Sequence, residues 1–137
     1  MKTVFTTSHS KNNLRLKKKI YQLGKDNEHY KYYTQEVKLD KKIVQAVLER
    51  SKGLCEVCYA PGVELHHIIY GKGKRKQHET IESVILLCYE CHRGTYGVHG
   101  REGRELDLEL KRKLQHEYLK QGYSWESIRE MMGGKLY

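Results

Sequence analysis

All four cysteines of the chain fall into two C-x-x-C pairs, Cys55-Glu-Val-Cys58 and Cys88-Tyr-Glu-Cys91. A C-x-x-C loop turns two thiolates toward one point, and two such loops wrap a single tetrahedral ion at Zn–S distances of about 2.3 Å. The pattern predicts a structural zinc on Cys55, Cys58, Cys88 and Cys91, in preference to redox dithiols or isolated thiols. It also constrains the fold, because residues 55–58 and 88–91 must meet and everything between them hangs from the ion as an insert. That gap is longer than in a simple ribbon, so the insert has structure of its own.

The insert reads as a β-hairpin. Pro61-Gly62 is a turn, and Val63, Leu65 and Ile68-Ile69 surround two adjacent histidines with β-branched and apolar residues, so a strand begins near Val63. Ser83 to Cys88 is a short apolar run that supplies the second strand. Between them Gly71-Lys-Gly-Lys-Arg-Lys-Gln-His78 is too polar and too rich in glycine to pack, and is expected to form a long basic loop.

After the second cysteine pair comes His92-Arg-Gly-Thr-Tyr-Gly-Val-His99. A helix would return positions 92 and 99 to one face, whereas Gly94, Gly97 and Gly100 favour a turn; either brings the two imidazoles to one side. The hairpin carrying His66 and His67 then faces the segment carrying His92 and His99. Hydrolysis of a phosphodiester needs a general base to activate water and a cation to stabilise developing charge, and imidazole can serve as the base or ligate the cation. One histidine of the pair can be base and the other ligand, or one a ligand and its neighbour a packed core residue. Successive strand side chains alternate faces, so both serve one site only where the strand ends or twists strongly.

The charge balance agrees with a polyanionic partner. The 137-residue chain carries 26 Lys and Arg against 17 Asp and Glu, a formal net charge of +9. Such an excess makes nucleic acid the leading partner, since Lys and Arg neutralise phosphates and release counterions. Lys72, Lys74, Arg75 and Lys76 beside the histidines are expected to hold phosphates without specifying bases, which implies weak sequence preference. No apolar stretch approaches a bilayer span and Met1 to Ser10 lacks the apolar core of a signal peptide, so the chain is expected in the cytoplasm, with no membrane partner.

Taken as a set, Leu65-His-His-Ile68, the basic loop, Leu87-Cys-Tyr-Glu-Cys-His92 and His99 resemble the HNH endonucleases, whose common core is a ββα-metal motif. The resemblance covers residues 55–99 and implies an α+β fold, with a ββα-metal core on a zinc knuckle pair and helices flanking it. It implies a metal-dependent DNA endonuclease with His67 as general base. His66, His92 and His99 would be ligands of one catalytic divalent metal (Mg, Mn, Ni or Zn), and the four cysteines match the structural zinc ligands of one branch of the family. The loop Gly71-Lys-Gly-Lys-Arg-Lys76 and the ending Gly97-Val-His-Gly100 are similar to small phage and prophage members associated with recombination, which implies a bacterial host cell and a recombinase partner. One position departs: the family's middle Asn falls at Ser83, whose hydroxyl can make one of an amide's two hydrogen bonds. The competing reading is a zinc-ribbon DNA-binding accessory protein without catalysis, and a third is a partner-binding adaptor in recombination.

The flanks are plainer. Asp40 to Gly53 reads as a helix with Asp40 as N-cap and apolar residues at 43, 44, 47 and 48. Glu102 to Gln121 is a longer helix with a core-facing stripe of Leu106, Leu110, Leu114 and Tyr118, and Ser124 caps a short helix through Met132. Residues 1–39, with Lys17-Lys18-Lys19 and the His29-Tyr-Lys-Tyr-Tyr33 cluster, are expected to be a basic arm on one domain, residues 40–137.

Overall fold

The computed structural model describes residues 39–137. The sequence's expectations for residues 1–38 lie outside the described residues.

Helix α1, Lys41–Ser51, starts at the predicted cap: the Asp40 side chain accepts from the Lys42 N–H at 2.7 Å. It ends where Lys52 and Gly53 take positive φ, 57° and 74°, the left-handed turn that glycine tolerates best. Strand β1, Glu64–His67, pairs antiparallel with β2, Val84–Leu87, in the register Glu64↔Leu87, Leu65↔Leu86, His66↔Ile85 and His67↔Val84. Helix α3, Tyr89–Arg93, follows β2 directly with Cys88 as its N-cap. Two strands and a short helix in this order form the expected α+β core.

The hairpin is packed on both faces. Toward α1, Leu65, Val84 and Leu86 bury with Val44, Val47 and Leu39. Leu39, grouped by sequence with the arm, is therefore part of the core. Toward the other face, Ile85 and Leu87 join Ile68, Ile69 and Val98 under α4, Arg104–Lys120, and α5, Trp125–Met131. The stripe on α4 is buried as expected at Leu110, Leu114 and Tyr118, and Leu106 packs against the same cluster. Ser124 caps α5 by accepting from the Ser127 N–H.

One polar knot ties these layers together. The Arg50 guanidinium grips Glu56 through two parallel bonds, Nε to Oε1 at 2.6 Å and Nη2 to Oε2 at 2.9 Å. Its Nη1 and Nη2 also donate to the carbonyls of Ile81 and Val84. Glu56 Oε2 in turn accepts from the Leu86 N–H at 3.0 Å. The end of α1, the first knuckle and β2 are thereby fixed to each other.

The segment between the strands differs from the expected open loop. Residues Lys74–Gln77 make one helical turn, α2, and the Lys74 Nζ donates to the Gly133 carbonyl at 3.1 Å, which latches the turn to the chain after α5. Gly73 at φ 77° lets the chain turn into α2.

Candidate metal centres and the histidine site

The first cysteine pair sits in a miniature hairpin. Leu54 bridges Pro61, the Cys55 N–H donates to the Ala60 carbonyl at 2.7 Å, and Tyr59 adopts φ 64° to close the turn. The second pair spans the start of α3, where Cys88 Sγ accepts from the Cys91 N–H at 3.4 Å. β2 delivers Cys88 against the first knuckle, with the Cys58 and Cys88 sulfurs 3.5 Å apart. All four sulfurs lie within 4.8 Å of one another. Burial raises the Cys55 thiol, but the backbone N–H groups of Cys58, Cys88 and Val57 outweigh it and bring Cys55 below the ordinary thiol range. Burial and the charge of Cys55 push Cys91 far up. Four thiols so close cannot all ionise without a cation among them, and the donor set is that of a closed tetrahedral site.

The second cluster is built from three elements. β1 places Glu64 and His66 on the face toward α3, and α3 presents His92 from its buried side. His99 arrives by stacked turns and not by a helix. The Gly97 N–H bonds the Gly94 carbonyl, Gly100 bonds Gly97, and Gly103 bonds Gly100. A Cβ on Gly100 would lie 1.9 Å from the Gly94 carbonyl oxygen and one on Gly103 would lie 1.8 Å from that of Gly97, so the pile admits glycine alone. Folded this way, the His99 N–H meets the His92 carbonyl at 2.9 Å. The ring centroids of His66, His92 and His99 are then 5.0 to 5.2 Å apart, and one nitrogen of each lies within 4.8 Å of the others.

The electrostatics of this cluster favour neutral ligands. Burial, then the charges of His92 and His99, push His66 down to about 3, so it is a free base at neutral pH. Burial and the charges of His92, Arg93 and Arg75 lower His99 as well. Glu64 accepts from His92 Nδ1, the kind of outer carboxylate contact that would fix the ring of a metal-binding imidazole and leave its Nε2 free to bind. His66 Nε2 is buried with no hydrogen-bond partner among the described residues. An orphaned buried acceptor is costly, and a metal ion held by the three imidazoles would satisfy it.

His67 is not in this group. It lies with Leu65 on the face toward α1, and its Nε2 meets Glu79 Oε2 at 3.0 Å. The other oxygen of Glu79 accepts from the Asp40 N–H at 3.3 Å. The two adjacent histidines therefore point to opposite faces at the end of the strand.

Ser83 is buried at the foot of the loop and does the work of a loop tie. Its Oγ accepts from the Thr80 N–H at 2.8 Å and lies within bonding reach of the His78 and Thr80 carbonyls, at 3.0 and 3.1 Å. Of the basic residues, Lys72, Arg75 and Lys76 are exposed on the hairpin loop, while the Lys74 ammonium is occupied by Gly133.

Three groups escaped the sequence reading. Glu64 and Glu79 are acids in strand and loop with no motif around them; the alternation of β1 places Glu64 on the face of His66, a signal that was available. Tyr70, whose ring lies 5.8 Å from His66 and 5.4 Å from His99, has Lys111 Nζ over its ring at 4.7 Å. Lys111 pairs with Asp107 at 2.7 Å, one turn back on α4. Burial lowers the ammonium, but the Asp107 carboxylate more than offsets it.

No described helix is long and apolar enough to cross a membrane. No curated protein and no solved structure matches the chain. Residues 55–96 match the family model described as HNH endonuclease, a span that holds both knuckles, the hairpin and α3 and ends just before His99. The likeness to the HNH endonucleases is thus carried by an HNH endonuclease domain match over residues 55–96.

Proposed function

We propose that this protein is a metal-dependent DNA endonuclease that hydrolyses phosphodiester bonds with little sequence preference. The observation that carries the reading is the buried, unpartnered His66 Nε2 at the centre of three imidazoles, next in the chain to a histidine already paired with a carboxylate. His66, His92 and His99 would hold one divalent metal, and Cys55, Cys58, Cys88 and Cys91 would hold a structural zinc. A divalent cation at the three histidines supplies positive charge to phosphate oxygens during hydrolysis.

The chain's own residues account for the proton. A carboxylate only accepts, so the Glu79 contact places the His67 proton on Nε2 and leaves Nδ1 as the basic nitrogen. Among the described residues Nδ1 has no partner, and it can take a proton from water. Glu79 keeps that tautomer and balances the imidazolium that forms. Lys72, Arg75 and Lys76 would track the DNA backbone from the loop. A phage or prophage setting and a recombinase partner draw support from the likeness of Gly71–Lys76 and Gly97–Gly100 to recombination-associated members.

The test is nicking of supercoiled plasmid by wild type and His67→Ala after chelation and re-addition of Mg, Mn, Ni or Zn. Metal-dependent nicking that disappears in the variant is expected. A wild-type protein that shifts DNA on a gel but cuts under none of the metals would favour the DNA-binding accessory reading.

A further inference from the structure

We propose that Arg93 is a phosphate-binding residue of the histidine site, aimed by Glu64 so that its guanidinium fork contacts a non-bridging oxygen of the DNA strand being cut. This rests on the endonuclease reading above. Arg93 follows His92 at the end of α3, so its backbone position is fixed by the same turn that fixes a residue of the cluster. Its Nε donates to Glu64 Oε2 at 3.0 Å and lies 3.3 Å from Oε1. Glu64 Oε2 also accepts from His92 Nδ1. One carboxylate therefore positions both the imidazole and the guanidinium.

The manner of attachment matters. Held by Nε, an arginine keeps both Nη groups, and its two outward N–H pairs match phosphate geometry in a way a lysine cannot. Among the described residues the Arg93 Nη groups have no partner, and its side chain is 54% exposed. Arg50 is the contrast: its Nη groups are taken by Glu56 and the carbonyls of Ile81 and Val84, which makes it a structural cation. Arg101 leans on its neighbour Glu102 at 3.5 Å, outside the cluster, and Lys74 is spent on Gly133. Through the carboxylate it shares with His92, the exposed Arg93 side chain is held beside the cluster.

The experiment measures DNA binding by the full chain with a fluorescein-labelled short duplex, without added divalent metal, over a range of NaCl concentrations. The proteins are wild type, Arg93→Ala, Arg93→Lys and, as a charge control on α5, Arg129→Ala. A residue that neutralises one phosphate contributes about one unit to the slope of log K against log salt. Arg93→Ala should lose about one unit and bind roughly tenfold more weakly near 0.1 M salt, while Arg129→Ala stays near wild type. Arg93→Lys should recover the slope yet cleave with kcat about tenfold down and KM little changed, because an ammonium has no Nε anchor and no fork. Cobalt absorption, read with zinc already on the cysteines, reports whether the histidine cluster is intact. An Arg93→Ala protein with wild-type slope and affinity overturns the proposal, as does altered cobalt absorption with an unchanged slope, which would make Arg93 only a support for Glu64. If wild type cleaves under no metal while Arg93→Ala still loses slope, the endonuclease reading falls and the phosphate contact stands. If wild type binds no DNA, both fall.

Discussion

The cysteine cluster and the histidine cluster hang from the same hairpin, yet they are specified in different ways. Each cysteine pair is local: two intervening residues separate its cysteines, and β2 only has to bring one finished pair to the other. The histidine cluster is tertiary, with one ligand candidate from a strand, one from a helix and one from a glycine pile, and with an outer carboxylate from the strand. A site built from local loops is robust and chemically closed. Each cluster has one exposed member, Cys58 in the first and His99 in the second, and the second also has the exposed Arg93 on its outer carboxylate.

The sharpest way to break this contrast is to disturb the two clusters separately. Cys91→Ser, or chelation strong enough to strip the cysteines, should abolish cooperative thermal unfolding, since structural zinc sites contribute on the order of 10 kcal/mol to folding. A melt followed by circular dichroism checks it. A variant that melts like wild type would show that the helices and hairpin hold without the knuckles. His66→Ala, by contrast, should leave the melt close to wild type while nicking falls by roughly a thousandfold, about 4 kcal/mol in the barrier. Metal analysis should then find one ion per chain against an expected two in wild type. If His66→Ala unfolds the domain as Cys91→Ser does, the two clusters are one structural unit and the contrast fails.

The contrast also explains what the sequence could carry. The cysteine set, the hairpin, the caps at Asp40 and Ser124 and the α4 stripe were legible because each depends on spacing within a few residues or on a helical period. Whether His92 and His99 share a helix or a turn was not legible from spacing, and the structure decides it through Gly94, Gly97, Gly100 and Gly103, at each of which a Cβ would run into a backbone carbonyl oxygen. Glu79 was invisible for a different reason. Its partner His67 is twelve residues away across an irregular loop, and no periodicity relates the two. The helical turn at Lys74–Gln77 was missed because its stability comes from Gly133, at the far end of the described chain.

Glu79 gives a sharper comparison inside the histidine pair. If His66 serves the metal and His67 the proton, Glu79→Gln should lower kcat about 10- to 100-fold, a typical cost for a group that fixes a reacting imidazole, and leave metal stoichiometry unchanged. The amide can still receive or offer one hydrogen bond but cannot balance an imidazolium. KM for plasmid should stay near wild type. Unchanged kcat in Glu79→Gln would leave the His67–Glu79 pair as a clamp between the loop and the start of α1, which the Asp40 contact alone would justify.

The smallest expected effect concerns Ser83, where the family's asparagine would stand. In the structure this hydroxyl already closes the loop, bonding the Thr80 N–H at 2.8 Å and facing the His78 and Thr80 carbonyls, all within a buried pocket that also holds the Thr80–Tyr118 hydroxyl pair at 2.7 Å. Ser83→Ala would strand the Thr80 N–H and should cost about 1 to 3 kcal/mol in urea unfolding, the usual range for a buried polar group left unpaired. Since Ser83 touches neither cluster, nicking measured well below the melting temperature should fall no more than a few fold. Ser83→Asn separates tie from fit: the amide offers the same bonds with more volume, so overpacking of about 1 to 3 kcal/mol opposes whatever bonding it gains. Equal or higher stability in Ser83→Asn would mean the loop accommodates the family residue without loss. A large drop in nicking by Ser83→Ala at full stability would instead move this position from the scaffold to the chemistry.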